Sequence, residues 1–124
     1  MYPRLRKILG IIVSVEPVTI IDLSNLVFVL NVEGYVNTDY RDWIPINNVG
    51  VMSPLLEVDI ARLVFHGLLR NTEKGVITTM LGKTRASKEK IPRELVERGP
   101  SLWRRLALEY AKKTIMSLKS YPSR

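Results

Sequence analysis

The chain has no cysteine, and that absence excludes disulfides, thiolate catalysis and the usual structural zinc together. A single histidine, His66, leaves any metal site to depend on clustered carboxylates, and no such cluster occurs; no metal is expected. Glutamine is also missing, beside plentiful Ile, Val, Leu and Arg, which leans toward a thermophilic source. Long hydrophobic runs are missing too. Arg4-Leu5-Arg6-Lys7 precedes the apolar run Ile8 to Val15 in the manner of a signal peptide. Glu16-Pro17 follows without a small-residue cleavage site, however, and so short a run cannot span a bilayer. The expectation is an ordinary first helix of a cytoplasmic protein with no membrane association.

What is present is a globular composition, 46% hydrophobic and 25% charged over 124 residues, enough for one domain with a modest core. Its net charge of +7 is lopsided. Residues 1–70 hold six Lys/Arg against seven Asp/Glu, a net of −1, whereas residues 71–124 hold thirteen against five, a net of +8. A polyanion would therefore meet the rear of the chain, unless that rear is merely a solvated tail.

The clearest local instructions lie at residues 50–81. Ser53 can cap a helix that Pro54 opens, Glu57 and Asp59 suit its positive end, and Leu56, Ile60, Leu63 and Val64 recur at helical spacing up to Gly67. An apolar edge, a polar turn ending at Gly75 and the β-branched run from Val76 then read as a hairpin. Upstream, Pro3 to Val15 predicts a helix with Leu5, Ile8, Leu9 and Ile12 on one face, stopped by Pro17. Thr19 with Asp22 opens a second, with Leu23, Leu26, Val27 and Leu30 as its stripe and Gly34 at its end. Tyr35 to Ile46 reads as an extended link, with an edge strand around Tyr40 to Ile44 and a turn at Asn47-Asn48; Tyr35, Tyr40 and Trp43 are read as a lid on the core in preference to a stacking surface.

Leu23-Ser24-Asn25-Leu26-Val27-Phe28, the aromatic link, Gly50-x-x-Ser53-x-x-Leu56-x-x-Asp59 and the following hairpin resemble a winged helix-turn-helix, and most resemble the Panacea (SocA-like antitoxin) domain pattern. The likeness spans residues 20–70. Where that family carries a Lys and a Tyr in helix two, this chain has Asn25 and Phe28, and Val51 stands in its Gly-Pro before the Ser. The resemblance implies a mainly α fold with a small β-hairpin: a winged-helix-like core at 1–81, then a basic segment and an amphipathic helix at 82–124. Such domains serve as regulators, antitoxins and adaptors alike, so fold alone does not select among these roles.

Beyond the hairpin, Gly82-Lys83-Thr84 ends like a phosphate-binding loop but lacks the Gly five residues earlier, where Ile77 stands, and no helix is expected after it. No cofactor is expected. Residues 91–98 predict a short helix ended by Gly99, and a last helix runs from Leu102 to about Lys119. Trp103, Leu106, Ala107, Tyr110, Ala111 and Leu118 share one arc of it, opposite Arg105, Lys112, Lys113 and Lys119. That arc either folds back on the core or forms a dimer or partner face through Trp103, Leu106, Tyr110 and Leu118.

Asp59, Arg62 and His66 share a face of the third helix and are expected to form an exposed charge network; no nucleophile–base pair accompanies them, and no enzyme is expected. The same face offers Ser53, Arg62 and His66 for reading bases, with only Arg62 a strong donor. Phosphate contacts are instead expected at Lys74, Lys83, Arg85, Lys88, Lys90, Arg93, Arg105 and Lys112. Two functions follow: a DNA-binding regulatory or genome-associated protein acting as a homodimer, or an adaptor or antitoxin-like module that binds a protein partner.

Overall fold

The computed structural model describes residues 1–119, with side chains to residue 114. The elements follow in the order α1 (Pro3–Val15), α2 (Ile20–Val32), β1 (Ile44–Ile46), β2 (Gly50–Met52), α3 (Pro54–Phe65), β3 (Leu69–Thr72), β4 (Gly75–Thr78), α4 (Met80–Arg85), α5 (Arg93–Arg98) and α6 (Pro100–Lys119). The chain is thus mainly helical, with two small antiparallel strand pairs, β1–β2 and β3–β4.

Every residue of α2 from Leu23 to Leu30 is buried. A helix buried all round must be covered on every side. Strand β2 and the long helix α6 do much of that covering. Asn25, buried with them, accepts from the Val51 N–H at 2.9 Å and donates to the Val49 carbonyl at 3.1 Å, which ties β2 to α2. The Thr19 hydroxyl accepts from the Asp22 N–H at 3.2 Å, the cap expected there.

Helix α1 is linked to the β3–β4 hairpin through its C-cap residue. The Glu16 carboxylate accepts from both the N–H and the hydroxyl of Thr78, at 2.7 and 2.8 Å. Val18 then bridges antiparallel to Val76, which shields part of the β4 edge.

Two local expectations are corrected. The strand after the aromatic link is Ile44–Ile46, pairing Pro45 with Val51, and not Tyr40 to Ile44. Proline is tolerated because β1 is an exposed edge strand in a pair of two. Tyr40 is instead buried, with the Trp43 ring edge-on to it at 6.2 Å and to Phe28 at 5.1 Å. The second correction concerns Gly82-Lys83-Thr84, which lies inside α4. The Thr79 hydroxyl caps that helix, accepting from the Gly82 N–H at 3.1 Å. A Cβ on Gly82 would lie 2.0 Å from the Leu68 carbonyl oxygen, so glycine permits α4 to lie against the start of the hairpin.

A similar close approach fixes the segment after α4. The Ser87 N–H donates to the Arg6 carbonyl at 3.1 Å, and a Cβ on Gly10 would lie 2.1 Å from the Ser87 carbonyl oxygen. The basic stretch is therefore strapped along α1.

Candidate interaction surface

Helix α3 opens as its sequence dictates, but two of its polar side chains, Ser53 and Asp59, point inward. Ser53 is fully buried; its hydroxyl accepts from the Leu56 N–H at 3.1 Å and donates to Asp42. Asp42 also accepts from the Leu55 N–H at 2.8 Å. Burial pushes the Asp42 carboxyl up, but these hydrogen bonds outweigh it and hold the group below the ordinary carboxylate range. Ser53 is thereby removed from the candidates for base reading.

Asp59 departs furthest from expectation. It is fully buried, not part of an exposed network. Arg4 donates to it at 2.8 and 3.3 Å, and the Tyr40 hydroxyl at 2.6 Å. Burial first, and the carboxylate second, push the Tyr40 hydroxyl far above its ordinary value; the same carboxylate raises Arg4. The Arg4 guanidinium also lies over the rings of Tyr2 and Tyr40, at 5.3 and 5.9 Å. Arg62 approaches Asp59 only to 4.0 Å, with a side chain 58% exposed.

The outward face of α3 presents Glu57, Val58, Ala61, Arg62 and Phe65, followed by His66. Phe65 is 84% exposed, with the His66 ring edge-on to it at 5.2 Å. Met80, at the start of α4, is equally exposed. Between α3, α4 and the start of α1 lies a cleft of about 630 Å³. Its walls are Tyr2, Leu5, Leu63, Leu68 and Leu81, with Arg62, His66 and Arg85 as its charged or titratable lining. Phe65 borders the cleft through His66, and Met80 precedes the lining residue Leu81 in the chain.

The expected phosphate-binding cations fall in several places. Arg85 faces the cleft. Lys88 and Lys90 are exposed on the strap along α1. Lys83 reaches the Glu16 carboxylate at 3.7 Å, and Arg93 pairs with Glu97 at 2.6 Å. Lys74 lines a hollow with Asp22, Val96 and Trp103, while Arg105 lines another with Glu33, Glu94 and Arg98. Lys112 is exposed on α6. The structure therefore brings Arg62, His66 and Arg85 together, but does not gather the eight expected cations around one hollow.

Of the two destinations open to the apolar arc of α6, the described residues turn toward their own chain, and Trp103, Leu106 and Tyr110 pack there. Trp103 is buried, and its indole N–H donates to the Leu95 carbonyl at 2.7 Å. Leu106 and Tyr110 are half-buried against the core. The Tyr110 hydroxyl bonds to Glu33, which, with some burial, pushes it up to about 12. The side chain of Leu118 lies outside the described residues.

Composition had pointed to the cations; Phe65, Met80, Leu81 and Tyr2 were missed. One signal was available, because Val58, Ala61 and Phe65 stand at i, i+3 and i+7, off the stripe of Leu56, Ile60 and Leu63. Among the described residues no group of three or more His, Asp or Glu is placed to hold a metal ion, and no helix is long and apolar enough to cross a membrane. Comparison with protein families, with curated proteins and with solved structures gives no match.

Proposed function

We propose that the chain is a winged-helix-type protein-interaction module, of the adaptor or antitoxin-like kind, that docks a partner on the outward face of α3 and the start of α4. The observation that carries this reading is Phe65, 84% exposed with its ring against His66 at the edge of a largely apolar cleft; Met80, equally exposed, directly precedes the cleft residue Leu81. Burying a side chain of either size contributes about 1.5–3 kcal/mol, so two left in water beside a concavity mark a surface that a partner covers. The order α2, α3, hairpin supports the winged-helix part of the reading. Helix α3 suits a major groove poorly: Ser53 and Asp59 are turned inward, Glu57 would repel phosphates, and Arg62 and His66 alone remain to read bases.

A second reading, DNA contact by a homodimer, is favoured by Arg85, Lys88 and Lys90. They are exposed and form no salt bridge among the described residues. One experiment separates the two. A photo-crosslinking amino acid at position 65 should give a single protein adduct in the source cells that survives nuclease and high salt. The same amino acid at position 112 should not. Duplex binding that declines linearly on a log–log salt plot and weakens in Lys88→Ala and Lys90→Ala, with no adduct at 65, would replace the first reading by the second.

A further inference from the structure

We propose that the cleft between α3, α4 and the start of α1 seats an acidic amphipathic helix of a partner protein, apolar residues inward and carboxylates against Arg62, His66 and Arg85. This rests on the protein-interaction reading and specifies the chemistry of the partner.

Shape and charge carry it together. A cavity of about 630 Å³ is of a size that a small ligand can fill. A small ligand would nevertheless leave Phe65 and Met80 in water. A helix about 10 Å across spans both the cleft and these flanks, in the manner of helix-in-groove recognition. The polar lining is one-sided: Arg62, His66 and Arg85 contribute, and no carboxylate does. Asp59 lies behind the wall and is held at 2.8 Å by Arg4; Arg62 reaches it only at 4.0 Å, and its side chain, 58% exposed, remains open to a group outside. Other occupants fit less well. A second copy docking by a two-fold axis would set Arg62 and Arg85 against the same patch on its partner. A nucleic-acid backbone would pair with the arginines and leave the apolar floor uncovered. A flat lipid surface would touch Phe65 and Met80 but leave the concavity unfilled.

The test is fluorescence anisotropy on the whole protein. The probe is a labelled helical peptide of about 16 residues, with Leu along one face and Glu on the other; a control carries Lys for Glu. The wild type should prefer the Glu peptide by about tenfold at about 0.1 M salt. Arg85→Glu, at an exposed position, should shift preference toward the Lys peptide, a reversal that misfolding would not produce. Arg62→Gln should lower the preference severalfold. Equal binding of both peptides, or none of either, overturns the proposal. So does uptake by vesicles of about a quarter phosphatidylglycerol that Phe65→Ser abolishes, or a dimer that the same change dissolves. If the position-65 adduct forms but the Glu peptide does not bind, only the stated chemistry falls. If neither occurs, the interaction reading falls with it.

Discussion

The two ends of α3 invert the usual placement of residues. At its N-terminal half, Ser53 and Asp59 are fully buried, with their polar atoms hydrogen-bonded to Asp42, Leu56, Arg4 and Tyr40. At its C-terminal end, Phe65 is almost fully exposed, with Met80 equally exposed at the start of α4. A buried, hydrogen-bonded carboxylate fixes the helix against α1 and the aromatic link, because breaking such a group leaves charge without water or partner. An exposed aromatic contributes little to the isolated fold. The comparison separates residues that hold the helix from residues that present it.

The largest effect is expected at the buried end. Asp59→Ala should cost about 3 kcal/mol in denaturant unfolding, since the Arg4 guanidinium and Tyr40 hydroxyl both lose their acceptor. Asp59→Asn keeps an acceptor for Tyr40 and should lose less. Ser53→Ala should cost about 1 kcal/mol, the ordinary value of a helix cap. At the other end, Phe65→Ser and Met80→Ser should each change stability by less than about 0.5 kcal/mol; Met80→Ser should weaken the adduct formed at position 65, and Phe65→Ser should weaken binding of the Glu peptide. A loss as large as that of Ser53→Ala would break the comparison and make Phe65 a structural residue. The smallest effect concerns acid. Because the Asp42 carboxyl is held below its ordinary value, its contribution is fully present above the unfolded carboxylate pKa of about 4 and disappears as pH falls through the folded one. Asp42→Asn should therefore flatten the acid limb of a melting-temperature profile.

Local features were legible in the chain. Proline at the start of α1 and after its end, the Thr19 and Ser53 caps, and the turn before Gly75 all act within a few residues, and these elements lie where their sequence places them. The burial of Asp59 was not legible, because Arg4 and Tyr40 lie 55 and 19 positions away. On a helical wheel, Asp59 shares its arc with Arg62 and His66, and only the approach of α1 and the aromatic link covers it. Charge behaved likewise. Counting gives +8 for residues 71–124, but Glu16, from the front portion, lies beside Lys83 only in space. The amphipathic arc of α6 was plain, whereas its destination depended on α2 being buried on all sides. Helix α4 escaped notice because Gly82 weakens its propensity; the Thr79 cap and contact with the hairpin sustain it.

The two tryptophans give the molecule a built-in pair of optical reporters. Trp43 stands beside Phe28 and Tyr40, one residue removed from the Asp59 network, and Trp103 sits where α5 meets α6, its indole bonded to Leu95. Replacing either by Phe leaves an emission spectrum that belongs to one neighbourhood alone. Paired melting curves would then show whether the first seventy residues and the cationic remainder come apart in a single event or in sequence.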